Sequence, residues 1–189
     1  PGIQTLYGTR CSGMMDGIKI VCFYGPESTG KSTLAPRLAS EFRTEWVPEV
    51  AREMVTTNAF SVDDILQIGR AQTARVFEKL KRANRLLICD TDLITTQIYS
   101  RHYLGQVPEE LVRLEQQVRY DHYFLFDVDV PWIADGLRDQ GSRPQRAHML
   151  HLFERELNSR GISFDRVTGS YEQREKFVRR VLKQLLTTP

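Results

Sequence analysis

The chain has no apolar run near the roughly 20 residues that a membrane-spanning helix needs, and its first residues lack a secretory hydrophobic region. It shows no internal repeat, no low-complexity tract and no linker, which argues against a solenoid, a disordered tail or a tethered second domain. Charge of one sign is scarce. Lys and Arg number 26 against 24 Asp and Glu, a net +2, too small a basic excess for a surface dedicated to duplex nucleic acid. Cysteine is scarce too: Cys11, Cys22 and Cys89 are an odd set without zinc spacing. Two of them sit in apolar runs, as small buried residues of a reducing compartment do, so a cytoplasmic location is expected. At 189 residues the chain suffices for one well-buried α/β core.

What is present is more specific. Gly25-Pro26-Glu27-Ser28-Thr29-Gly30-Lys31-Ser32 is a complete phosphate-binding loop. Its glycines let successive backbone N–H groups turn inward on phosphate oxygens. Lys31 is placed to reach the β- and γ-phosphates, and the Ser32 hydroxyl to ligate Mg²⁺. The apolar run Ile18 to Tyr24 reads as a buried strand entering the loop. A helix opening near Lys31 would aim its positive dipole end at the same phosphates. A nucleoside triphosphate ligand follows.

Strand-like and helix-like segments alternate, which predicts a parallel sheet covered on both faces. Strands are expected at 18–24, 44–48, 86–89, 123–128 and 162–167. A helix is expected over 62–83, with Ser61 and Asp64 as a capping box, its inner face on Val62, Ile65, Leu66, Gly69, Val76 and Leu80, and Asn84 as its C-terminal cap. Pro108 opens another helix, Pro144 to Arg160 a further one stopped by Gly161, and a terminal helix starts near Tyr171. Residues 1–16 are expected to be a leader or an expression remnant outside the fold, and 17–189 a single phosphate-loop domain.

Parallel strands present their C-terminal ends to one crevice, so chemistry should collect there. Asp90 ends the third strand and is the candidate Mg²⁺ carboxylate; Asp92 follows it, either as a second functional carboxylate or as a helix cap. After the second strand, Glu49 is a candidate base for an attacking hydroxyl and Arg52 a candidate substrate or phosphate ligand, against the plain reading of a helix start. Arg138, Arg143 and Arg146 lie on or beside a glycine-containing stretch after the fourth strand, a candidate lid for the transferring phosphoryl group. Tyr171 and Arg174 follow the fifth strand, where either could pack near an adenine ring, against the plain reading of a strand-to-helix turn with Ser170 as N-cap. Trp46, Tyr99, Tyr103, Tyr123 and Trp132 are candidates for stacking on a base. His148, His151 and Glu154 read as a solvated helix face.

These residues together resemble the kinase domain of NadR-type proteins: Gly25 to Thr33, Glu49-Val-Ala-Arg-Glu53, Cys89-Asp-Thr-Asp-Leu-Ile-Thr-Thr96, and Trp132-Ile-Ala-Asp-Gly-Leu-Arg138 with Gly141-Ser142 and Gln145-Arg146. The resemblance runs from about Ile18 to the last helix. It implies a three-layer phosphate-loop fold with five parallel strands in the order 2-3-1-4-5. It also implies ATP- and Mg²⁺-dependent phosphorylation of the 5′-hydroxyl of nicotinamide riboside. Carried over residue by residue, Gly25, Glu27, Ser28, Thr29, Gly30, Lys31, Ser32 and Thr33 would hold ATP, Asp90 would serve Mg²⁺, and Glu49 would be the general base. Arg138 and Arg143 would belong to the lid, and Asp92 would serve as base or ribose ligand. The chain contains no His-x-Gly-His motif, so adenylyl transfer is not implied.

The expected partners are thus ATP and a small nucleoside, with no membrane and no duplex; a homo-oligomer is left open. Another 5′-hydroxyl acceptor, including an oligonucleotide end, is the second enzymatic reading, and an ATP-binding regulatory module the third. The paired carboxylate clusters favour an enzyme, since a switch needs no hydroxyl-activating base. Lys31→Ala is expected to abolish transfer, whereas Arg138→Ala should lower turnover with ATP affinity largely kept. Equal losses in turnover and ATP binding for the second variant would refute a lid role for Arg138.

Overall fold

The computed structural model describes residues 17–55, 59–133 and 141–187. Five strands, β1 (Lys19–Tyr24), β2 (Glu45–Val47), β3 (Leu86–Asp90), β4 (His122–Phe126) and β5 (Phe164–Val167), form one parallel sheet in the order β2-β3-β1-β4-β5. Seven helices connect them among the described residues: α1 (Lys31–Glu41), α2 (Ala51–Met54), α3 (Val62–Leu80), α4 (Leu93–Leu104), α5 (Glu109–Glu115), α6 (Arg143–Ser159) and α7 (Tyr171–Thr187). The strand order is the one expected for a three-layer phosphate-loop fold.

The side-chain period of two along each strand sorts the core into two layers. Val21 and Phe23 of β1, Leu86 and Ile88 of β3, and Phe124 and Phe126 of β4 face Leu34 and Leu38 of α1 and Val178 and Leu182 of α7. The alternate residues Cys22, Tyr24 and Leu125 meet Ile94 and Ile98 of α4 and Met149, Phe153 and Leu157 of α6. Ile20, Leu87 and Cys89 meet Val76 and Leu80 of α3. The central strands are buried on both faces, which is why they read as continuous apolar runs. Cys22 and Cys89 are free thiols inside this core. Among the described residues no helix is long and apolar enough to cross a membrane.

Helix starts follow local chemistry closely. Ser61 and Asp64 form the expected capping box, each side chain bonding the other's backbone N–H. Ser142 and Gln145 form a second one at α6. Helix ends follow it less well. The helix from Val62 stops at Leu80, and Asn84 is not its cap: the Asn84 N–H donates to Thr44 Oγ1, whose hydroxyl bonds the Leu86 carbonyl, so Asn84 ties the entries of β2 and β3 together. Val62 is exposed, because the buried stripe of α3 begins one turn later at Ile65. Pro108 is the N-cap of α5 rather than its first helical residue.

One buried cation joins the layers. Arg174 of α7 is 1% exposed, and its guanidinium donates to the carbonyls of Gly169 (2.8 Å), Thr29 (3.2 Å) and Asp127 (3.1 Å) while pairing with Asp129. It therefore fastens the phosphate loop to the ends of β4 and β5. Replacing a hydrogen-bonded buried charge by an apolar chain strands its acceptors, so Arg174→Met should cost about 2–3 kcal/mol. Denaturant unfolding checks this; an unchanged midpoint and an unchanged ATP affinity would show that the clamp is dispensable.

Candidate active site

The phosphate loop runs from the C-terminal end of β1 into α1, and its backbone alternates in hand. Gly25 has φ 127°, Ser28 φ 57° and Gly30 φ 92°. At Gly25 a β-carbon would lie 2.7 Å from the Phe126 carbonyl oxygen, and at Gly30 it would lie 2.9 Å from the Tyr171 ring. Only glycine satisfies both the left-handed backbone and the close approach at these positions. Gly30 is also the N-cap of α1, which has no side-chain cap and no acid in its first turn. By contrast α3, α4 and α6 are capped by Ser61, Asp92 and Ser142. The first N–H groups of α1 are thus left for an anion, as a phosphate site requires.

Lys31 is 6% exposed, and its ammonium donates to the carbonyls of Gly25 (2.8 Å) and Pro26 (2.7 Å). Burial lowers its pKa, opposed by the nearby carboxylates of Asp90 and Glu49. Thr29 donates to the Pro26 carbonyl, 2.9 Å away, closing the loop. Ser28 accepts the Ile133 N–H at 2.8 Å and so draws the segment after β4 onto the loop. Ser32 and Thr33 stand exposed on the first turn of α1, and Glu27 is half-buried in the cleft beside the loop.

Asp90 ends β3 on the same sheet face as Leu86 and Ile88, the face that α1 covers, and is 1% exposed. Among the described residues neither carboxylate oxygen has a partner at hydrogen-bonding geometry, although the Ser32 hydroxyl lies near enough to draw the Asp90 pKa down. Burial, with Glu49, outweighs Ser32, Lys31 and Arg52 and raises that pKa. An orphaned buried carboxylate beside a serine hydroxyl and a phosphate loop fits Mg²⁺, a hard cation that takes few protein oxygens and completes its shell with phosphate and water. Among the described residues no group of three or more His, Cys, Asp or Glu forms a metal cluster. His148 and His151 are exposed on α6, and Glu154 pairs with Arg166 at 2.6 Å.

A cleft opens from the loop toward α3 and α4. Gly25, Glu27 and Lys31 line one end. Glu49 and Arg52, joined by an ion pair of 2.8 Å, line the middle together with Thr91 and Thr95. Phe60, Tyr99, Tyr103, Ile65 and Ile68 line the apolar end. The rings of Tyr99 and Tyr103 stack at 6.2 Å and 16°, with Phe60 against Tyr103 at 5.2 Å. Burial, followed by Glu27 and Glu49, pushes the Tyr99 phenol well above its usual range and keeps it neutral.

The remaining candidates fall elsewhere. Asp92 caps α4: one oxygen accepts the Thr95 N–H (2.9 Å) and hydroxyl (3.0 Å), the other the Tyr123 hydroxyl (2.8 Å). It lines a second cavity and not the cleft, while Gln72 lines both. Burial raises the Asp92 pKa to about 6 despite these donors. Trp132 lies outside the cleft lining, against Gly141 and beneath the Arg146 guanidinium at 5.9 Å. Trp46 and Tyr123 pack into the core. Arg143 is exposed at the start of α6, and Tyr171 is half exposed over Gly30. Arg138 lies outside the described residues. Sequence reasoning missed Thr91, whose φ of 70° turns the chain beside the loop, and Gln72, buried where α3 floors the cleft. Thr91 stood inside the Cys89 to Thr96 motif with no signal of a role of its own. Gln72 could have been found from its helical spacing after Ile65 and Ile68.

Comparison with known proteins agrees with this geometry. A family model described as an AAA domain (AAA_28) matches residues 20–174. The chain is similar to the trifunctional NAD biosynthesis/regulator protein NadR of Escherichia coli, strain K12, at 33% identity over 156 residues, 79% of this chain and 38% of that protein. The NadR of Salmonella typhimurium, strain LT2, is 32% identical over 155 residues, 78% of this chain and 37% of that protein. The chain thus spans less than two fifths of these relatives. Among solved structures, NadR in complex with NR aligns with a TM-score of 0.78 at 21% identity, covering 93% of this chain and 54% of that one, a likeness of fold. With a family model matched over most of its length and the phosphate loop in place, the chain belongs to the AAA-domain family AAA_28 and carries a NadR-type phosphate-loop fold.

Proposed function

We propose that the chain is an ATP-dependent kinase that transfers the γ-phosphoryl group to the 5′-hydroxyl of nicotinamide riboside, yielding nicotinamide mononucleotide, as a single cytoplasmic kinase unit over 17–189. The observation that carries this reading is the continuity of the cleft. The phosphate loop with Lys31, the carboxylate of Glu49 and the stacked Tyr99–Tyr103 pair line one space. Its lining offers a phosphate loop, a carboxylate and aromatic faces, the groups that phosphate, ribose and base would each need. The nicotinamide ring of the nucleoside is a cation, which aromatic faces and the nearby Glu27 and Glu49 attract. Solved NadR complexes with NR, and with NAD and AMP-PNP, lend support by likeness.

In this reading the loop N–H groups and the α1 N-terminus bind the donor phosphates. Lys31 leaves the carbonyls of Gly25 and Pro26 for the β- and γ-phosphate oxygens, exchanging neutral acceptors for charged ones. Asp90 and Ser32 would hold Mg²⁺, which supplies charge neutralisation at the phosphates when bound. Glu49 accepts the proton of the 5′-hydroxyl as it attacks, and Arg52 holds Glu49 in place. Arg143, with Arg138, would close over the donor, and Tyr171 lies beside the loop where an adenine would pass. Catalysis is then mostly positioning and charge stabilisation.

Incubation with Mg-ATP and a panel of nucleosides plus a 5′-hydroxyl oligonucleotide, read by mass, tests the acceptor. Nicotinamide mononucleotide should be the main product; conversion of another acceptor in its place would overturn the assignment. Between the two carboxylates, Glu49→Gln should lower kcat about 100-fold or more, the usual contribution of a general base. Asp92→Asn keeps the cap and should stay within about tenfold of wild type. The reverse order would make Asp92 the base.

A further inference from the structure

Ile65, Ile68 and Gln72 follow one another down the cleft-facing stripe of α3, and Val76 and Leu80 continue it beneath the sheet. A purely structural stripe would be apolar throughout. At Gln72 it carries instead a primary amide that is 3% exposed. The amide has a defined orientation: its Oε1 accepts the Val50 N–H at 3.0 Å, on the turn that carries Glu49 into the cleft. The opposite end, Nε2, is buried and meets no acceptor among the described residues. Flipping the amide would set two N–H donors against the Val50 N–H, so the donor end is fixed by its surroundings. A buried donor without an acceptor is costly, and native proteins rarely keep one unless a ligand or an ordered water completes it.

Resting on the reading of this cleft as the acceptor site, we infer that Gln72 is a specificity-determining residue that donates a hydrogen bond through Nε2 to an oxygen of the nucleoside. The shared chemistry is an oxygen acceptor, either a ribose hydroxyl or the carboxamide oxygen of the base. Gln72 also orders the Val50 turn, so substrate recognition and the placement of Glu49 meet in one side chain. The apolar end of the cleft holds the flat ring, and this amide reads whether the molecule carries oxygen at the floor. A site built to bond a substrate oxygen rejects analogues lacking it far more strongly than an apolar pocket rejects a small change in size.

The test is a cycle of enzyme variant against substrate analogue, using Gln72→Met and Gln72→Glu in the full chain. Gln72→Glu, assayed at a pH high enough to ionise the buried carboxyl, retains an oxygen for the Val50 N–H and lacks the amide donor, so a merely structural role predicts a loss of stability with KM for the nucleoside unmoved. The inference predicts that both variants raise KM for nicotinamide riboside about tenfold or more, with KM for ATP unchanged. The analogues are the 2′-deoxy and 3′-deoxy ribosides and the pyridinium riboside lacking the carboxamide. The analogue without the contacted oxygen should be equally poor with wild type and Gln72→Met, and its identity locates the contact. A variant effect of equal size on every analogue overturns the inference, as does a donor serving only the second cavity, which Gln72 also borders and which would leave KM for the nucleoside unmoved. If wild type converts a different nucleoside, the functional reading fails by itself, and the same cycle on deoxy and deoxo analogues of that nucleoside decides the role of Gln72.

Discussion

The register between β1 and β3, in which Phe23 pairs with Asp90 and the Phe23 carbonyl accepts the Thr91 N–H at 2.9 Å, is the constraint on which the site depends. It sets the penultimate residue of β1 level with Asp90, the last residue of β3. A parallel slip of one residue would turn Asp90 to the opposite face of the sheet, away from α1 and Ser32. Because β1 is hydrogen-bonded on both sides, to β3 and β4, neither neighbour can shift without breaking a ladder in the buried centre of the molecule.

Around that fixed point the protein spends polar groups sparingly and with clear division of labour. Arg174 supplies donors to carbonyls from three segments and so holds the phosphate loop from behind. Asp92 supplies acceptors to Thr95 and Tyr123 and so holds the start of α4. Asp90 and the Nε2 end of Gln72 are, like Nε and Nη2 of Arg146, buried and unmatched among the described residues. Gln72 lines the cleft, whereas Asp90 stands beside Ser32 and Lys31 of the phosphate loop, so the two unmatched groups serve different parts of the site.

Local motifs were legible in the sequence because their physics is local. The phosphate loop needs only Gly25, Gly30, Lys31 and Ser32 at their spacing, and the capping box at Ser61 only its third residue on. The ends of helices were harder: Asn84 looked like a cap, yet its N–H is drawn to Thr44, 40 residues away in the chain, and no local rule foresees that. Asp90 and Asp92 are two residues apart and look equivalent as letters. Strand parity and the start of α4 send one to the α1 face and the other to a cap. Trp132 looked like a base-stacking residue and packs against Gly141 and Arg146.

By itself the sequence determined that a triphosphate loop follows a buried strand, that the sheet is parallel and that one α/β core surrounds it, since each rests on short-range spacing and hydrophobic period. Only the tertiary structure decided which carboxylate is unpartnered, which aromatics share the cleft and that Gln72 presents a buried donor at its floor. These depend on side chains far apart in the chain meeting within hydrogen-bond distance, and the period of a helix or strand limits such meetings without specifying them.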